Sequence, residues 1–277
     1  MAWLQIPSMS PEQLDLFRDF GAAVVAPSVA PSTRSTFDVA ALDDDGLVAA
    51  LSSANSTDSL TLAAEVALRQ LAAAVPLLRS LCRRHAGYGA CRPIPEQLAA
   101  LNALHAIGTH EAALAVAEAI ERGWVEGPGL AVATRCAGRL HAHLLAEVLA
   151  KLLQHPDSNV RAAACGCARP LPLIIALLGE LMADLHRPVA EAAACALGRF
   201  GRAEARPMLA ALLEKAPSEE VIEAAGAVAD ESSMVLLGRI ARSGSKLAPA
   251  ALAALTDIDH PRAAKIRAAV ILSGTTR

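Results

Sequence analysis

Within the ten residues CRRHAGYGAC, positions 82–91, stand two cysteines, a histidine, two arginines and the only tyrosine of the chain. Cys82, His85 and Cys91 are three soft ligands. A closed zinc site takes four, usually from two tightly spaced pairs, so a metal here needs His105 or His110 to complete it. The other chemistry in the stretch is recognition: Arg83, Arg84, Tyr88 and Arg92 are residue types enriched where proteins grip one another. Gly87 and Gly89 break a helix, and Pro93 and Pro95 limit its return, so the stretch reads as an enlarged connection between helices. His141 and His143 fall at a turn, where their side chains read as solvated rather than as a metal pair.

Three further arginines, Arg139, Arg169 and Arg199, recur every 30 residues. They are expected at the end of the first helix of each repeat, where a cation favours the helix dipole and where a row of guanidinium forks suits an acidic partner. Cys165 and Cys195 also share one repeat position. They should lie about 10 Å apart, beyond the roughly 7 Å limit for a disulfide, so they are expected as small core residues. No Ser-His-Asp order, phosphate-binding glycine loop or dinucleotide fingerprint falls in a strand-turn-helix context. The expectation is therefore a protein that is not an enzyme and carries no cofactor.

What must position these residues follows from composition and repetition. The chain has 277 residues, 54% of them hydrophobic but only 3% aromatic. A core of Ala, Leu and Val suits closely approaching helices and suits a β-sandwich badly. A net charge of -3 gives no global positive field for a nucleic-acid backbone or an anionic membrane. No apolar run reaches the roughly 18 to 20 residues of a membrane span, and the start, MAWLQIPSMSPEQLDLFRDF, lacks the basic region of a signal peptide. A cytoplasmic chain with reduced thiols is expected. Among the cations 21 are arginine and 4 lysine, which together with the alanine content reads first as coding bias.

Laid against itself, the chain repeats. A shift of 30 aligns the three arginines, the two cysteines, and Leu152 with Met182 and Leu212; a shift of 93 carries LHAIGTHEAALAVAEAI from Leu104 onto LGRFGRAEARPMLAALL from Leu197. A period near 30 means stacked supersecondary units. In PVAEAAACALGRF the helix opens on Pro188 and stops at Gly201, and AEARPMLAALLEK follows as a second helix. Helix pairs are expected to begin near Asp58, Pro95, Gly127, Asp157, Pro188, Ser218 and Leu247. Residues 1–57 do not repeat. They form an arm or cap of net charge -5 with a helix at 10–20, a Pro/Ser/Thr-rich linker at 27–36 and a short helix after Asp43, Asp44 and Asp45, leaving +2 on residues 58–277.

At DSNVRAAACGCA, residues 157–168, the chain resembles the first helix of HEAT-like repeats, in the short form also seen in phycobilisome bilin-lyase subunits; ALGRFG, residues 196–201, resembles the turn that ends it. The resemblance implies an all-α, right-handed α-solenoid of about six to seven helix pairs preceded by a non-repeat arm. It also implies three enzyme-like relatives to compare. Deoxyhypusine hydroxylases use paired His-Glu dipeptides for two irons, and only His110-Glu111 fits, its counterpart being Ala203-Glu204. Bilin lyases would need a chromophore pocket that these residues do not define. HEAT-like DNA glycosylases would need a basic face with aromatics, but Trp3, Tyr88 and Trp124 are scattered.

The function expected from the residues is thus a non-catalytic scaffold or adaptor that binds a protein, with acidic partners suited to its arginines, and neither nucleic acid nor membrane. Its partner-binding residues are Arg83, Arg84, Tyr88, Arg92, Arg139, Arg169 and Arg199. The alternatives are an accessory or catalytic protein of the bilin-lyase or metal-dependent hydroxylase type, and an adaptor in a bacterial secretion or signalling complex.

Overall fold

The computed structural model describes residues 39–274. The expected helix at 10–20 and the linker at 27–36 lie outside the described residues. The chain divides after Thr36, and the second unit begins at Phe37.

Every regular element among the described residues is helical. A lead helix α1 (Asp44–Ser53) is followed by seven pairs: α2 (Ser56–Arg69) with α3 (Val75–Arg84), α4 (Pro95–Ile107) with α5 (His110–Glu121), α6 (Pro128–Arg139) with α7 (Ala146–Leu153), α8 (Ser158–Gly166) with α9 (Pro172–Leu181), α10 (Arg187–Arg199) with α11 (Arg206–Lys215), α12 (Glu219–Ala227) with α13 (Glu231–Arg242), and α14 (Ala248–Asp257) with α15 (Pro261–Gly274). The seven starts expected from the repeat are all met within two residues.

Each start has a local cause. Asn55, Thr109, Asp157, Ser218 and Asp230 accept a backbone N–H of the first turn of α2, α5, α8, α12 and α13. Elsewhere proline does the work, as in α4, α6, α9 and α10, where it fills a first-turn position whose N–H would have no helical partner.

The first helices of the pairs, α2, α4, α6, α8, α10, α12 and α14, form one continuous stack, and each second helix through α13 also packs on the first helix of the next pair. A first helix is thereby covered on several sides, which explains its composition. In α10, Ala193, Ala194, Cys195, Ala196 and Leu197 are all buried. The second helices supply larger side chains from one face, such as Leu149, Leu152 and Leu153 in α7. The result is an α-solenoid with a single continuous apolar core.

Small residues set the spacing of the stack. A β-carbon added at Gly198 would stand 2.8 Å from the Ala224 carbonyl oxygen of α12, and one at Gly138 would stand 3.2 Å from the Gly166 backbone of α8. Gly138, Gly198 and Gly226 thus mark close approaches along the same end of the first helices.

The short helix after Asp43, grouped with the arm from sequence, packs on α2 and belongs with the solenoid unit. Arg69 at the end of α2 fastens it: its guanidinium donates to the Leu42 carbonyl at 2.7 Å and meets Asp44 at 3.3 Å and Glu65 at 2.7 Å. One arginine thus satisfies carbonyls that the preceding turn leaves open.

Candidate functional site

The connection after α3 is held from beneath. Gln97, buried in the first turn of α4, donates its side-chain amide to the Cys82 carbonyl at 2.9 Å and to the Trp124 carbonyl at 2.7 Å. One side chain thereby ties the end of α3 to the segment after α5. Gly89 is buried against this second segment, and Gly127 faces it at φ +53, where a β-carbon would collide with the Gly89 and Ala90 carbonyl oxygens. The crossing requires glycine at 127, for space and for backbone conformation alike.

With its inner side so fixed, the loop turns its polar side chains outward. Arg83, Arg84, Tyr88, Cys91 and Arg92 are exposed, Tyr88 to 74%. Tyr88, Arg92 and His85 border a groove of about 560 Å³ whose other wall is Ser56, Thr57 and Leu60 of α2. Glu96 lies in the same groove, and a hydrogen bond from Ser56 favours its ionised form and lowers its pKa despite partial burial.

The three soft ligands do not converge. Cys82 is buried in α3, where desolvation pushes its thiol up to about 12, while Cys91 is exposed at the loop surface. Among the described residues, no three His, Cys, Asp or Glu side chains are grouped to hold a metal ion. His110 opens α5, and His141 adopts φ +50 in the turn after α6.

The repeated arginines are only partly in register. Arg139 ends α6 and Arg199 ends α10, as expected, but Arg169 lies beyond the end of α8. The reason is local: α8 stops at Gly166, and Arg169 precedes Pro170, which steers its backbone out of the helical region. A fixed shift of 30 aligns residues whose helices differ in length, so the expected row of three helix-end arginines is reduced to Arg139 and Arg199, and Cys167 caps the helix between them in the sequence. Cys165 and Cys195 are buried free thiols, and burial raises them to about 12 and about 11 respectively.

Two features escaped the sequence reading. Arg161, in the first turn of α8, forms a two-pronged bond to Asp184, at 2.8 and 3.0 Å, and donates to the His155 and Pro156 carbonyls. These bonds and the His186 backbone N–H hold the Asp184 carboxyl down to about 2. The pair stitches the turn before α8 to the turn before α10. The second feature is a groove of about 710 Å³ at α12 and α14, floored by Ile222, Gly226, Ala250 and Ala254 and edged by Glu219, Glu223, Asp257 and Asp259. The acidic positions were in plain view, but only folding places them along one rim.

Comparison with known proteins agrees with this geometry where repeats are most regular. Residues 146–230, α7 to the cap of α13, match the family described as HEAT repeats. The HEAT match contains both the Arg161–Asp184 link and the close approach at Gly198, while the loop at 82–92 lies outside it. The chain matches no curated protein. Among solved structures, the crystal structure of YibA from Escherichia coli aligns over 82% of this chain and 100% of its own, at 17% identity and a TM-score of 0.40.

Proposed function

We propose that the chain is a non-catalytic HEAT-like scaffold that binds an acidic segment of a protein partner through the loop at 82–92. The observation that carries this reading is the loop's construction: buried Gln97 and the close crossing at Gly127 fix its backbone, while Arg83, Arg84, Tyr88 and Arg92 are exposed beside a groove. A preordered display loses little conformational freedom on binding, and arginine and tyrosine are the side chains that anchor interfaces. Arg139 and Arg199 extend the cationic surface at the ends of α6 and α10, and Arg169 adds an exposed cation from the loop after α8.

We place this role in the cytoplasm, where buried free thiols and an exposed Cys91 suit a reducing compartment. The likeness to bilin-lyase subunits rests on residues 157–168, which here are occupied by helix capping, core alanines and the Arg161 link. An adaptor role in a bacterial complex differs only in the partner.

The test is capture from source-cell lysate with the tagged chain, compared with the variant R83A/R84A/Y88A/R92A and read by quantitative mass spectrometry. A protein enriched by the wild type and reduced at least tenfold by the variant supports the reading. Equal capture moves the binding surface elsewhere. Stoichiometric metal or visible absorbance in the purified protein overturns the non-catalytic scaffold.

A further inference from the structure

The groove of about 710 Å³ at α12 and α14 belongs to the last two helix pairs, whereas the loop at 82–92 follows the first. Its floor is apolar and poor in side-chain bulk. Ile222 is buried beneath it, Gly226 and Ala254 bring the two helices close, and exposed Ala253 and half-buried Ile258 extend it. The volume is that of a binding cleft, which typically runs to about 300–1,000 Å³.

Both walls of this apolar floor are acidic. Glu219 and Glu223, four residues apart on α12, form one; Asp257, the last residue of α14, and Asp259 just beyond it form the other. Like charges four apart on a helix repel, and none of the four carboxylates has an ion-pair partner among the described residues. They face one cation of the lining, Arg206, whose Nε is already committed to the Val228 carbonyl at 2.7 Å.

The helix ends that border the groove also lack cations. Gly138 and Gly198 are each followed by an arginine, Arg139 and Arg199, which sets a positive charge at the C-terminus of α6 and α10. Gly226 is followed instead by Ala227, and neither α12 nor α14 has a basic residue in its last turn. Asp257 adds a negative charge where the dipole of α14 is already negative. The groove thus joins an open apolar floor to negative charge from two walls and two helix ends.

We propose that this groove docks a short basic segment of a protein partner, with apolar side chains on the floor and arginine or lysine on either side of them. The cations offset the repulsion within each wall and cap the open ends of α12 and α14, while the floor rewards apolar burial that a bare cation cannot supply. Nine residues of α12 span about 13 Å, the reach of about four extended residues, so two apolar residues flanked by cations fit. This surface prefers the opposite charge to the loop at 82–92 and does not depend on the role given to that loop.

The test uses the full chain and a fluorescein-labelled peptide of two arginines, two leucines and two arginines, read by anisotropy at low salt. Binding should weaken at least tenfold in E219Q/E223Q/D257N/D259N. It should weaken several-fold in Ala253→Phe, which fills the groove from an exposed position without changing charge, and several-fold when serines replace the leucines of the peptide. E111Q/E126Q/E147Q/E180Q removes four exposed carboxylates outside the groove and should stay within about twofold, as should R83A/R84A/Y88A/R92A. Wild-type affinity in the groove variant overturns the proposal, as does an equal loss in the control that neutralises carboxylates elsewhere, which would mean attraction by overall charge. Equal binding of the serine peptide overturns the apolar floor, and displacement of the leucine peptide by submillimolar spermine assigns the groove to a small polycation instead. Failure of the wild type to bind overturns the groove, and lysate capture with the loop variant still judges the loop separately.

Discussion

Replacing Asp184 by alanine tests the idea that the repeats are locked by a buried-edge ion pair rather than by apolar stacking alone. The carboxylate is 9% exposed and Arg161 13%, and two nitrogens of the guanidinium reach it at 2.8 and 3.0 Å. Lowering a carboxyl from 3.8 to about 2 corresponds to about 2 kcal/mol of folded-state stabilisation at neutral pH. Solvent at the turn screens part of this, and the alanine variant leaves Arg161 with the two carbonyls and the His186 ring as partners. A cost of about 1 to 2 kcal/mol follows, or a fall in Tm of about 2–8 °C for a unit of this size. The sign with pH is fixed: because the folded-state pKa is depressed, the contribution is complete above about pH 4 and is lost as pH falls through about 2. The stability gap between wild type and Asp184→Ala should therefore shrink to about half at pH 3. Urea melts at pH 7 and pH 3, with Arg161→Met and the double variant closing a thermodynamic cycle, measure both quantities. A gap unchanged between the two pH values, or a coupling below about 0.3 kcal/mol, refutes the ion pair as a lock.

Three other outcomes follow from the packing. Gln97→Leu strips one buried and one part-buried carbonyl of their donor and should cost about 1–3 kcal/mol, with faster amide exchange concentrated in residues 82–92; unchanged exchange there would remove the basis for a preordered loop. Gly198→Ala brings a β-carbon against the Ala224 carbonyl and the Leu209 side chain, so overpacking of about 1–3 kcal/mol should exceed the helix-propensity gain of about 1 kcal/mol, whereas Gly166→Ala, with nothing within 4 Å, should stabilise in the same thermal melts. In native protein at pH 8 a thiol reagent should label exposed Cys91 rapidly and spare Cys82, Cys165 and Cys167, all held at about 12 by burial, and denaturant should release every thiol.

The helix pairs were legible because their signals are local. A proline at the first turn, a capping Asp, Asn, Ser or Thr, and an apolar stripe are each written within a few residues, so starts such as Pro95, Asp157 and Ser218 could be read directly. Glycine was misleading in one respect. Gly201, after the helix, reads as a stop and is one at φ +72, but Gly198 lies inside the helix, and its role appears only when α12 is laid against it. Nothing in the spacing of a single helix distinguishes a glycine that ends an element from one that admits a neighbour.

Recognition residues were legible as types and not as groups. The arginines at 139, 169 and 199 share a period in sequence, yet only the first and last share a place in the fold, because Pro170 ends the opportunity for helix at Arg169. Conversely, His105 and Arg135 have no periodic relation, and stacking of α4 on α6 sets them around one notch. In a solenoid, contact partners lie about one repeat apart, so a small change in helix or turn length alters which charges meet without disturbing the core. Buried alanines and leucines tolerate that slippage, since any apolar neighbour serves, whereas a carboxylate finds Arg161 or does not. Charge pairing such as Arg161–Asp184 therefore adds specificity to the repeat interfaces that it crosses.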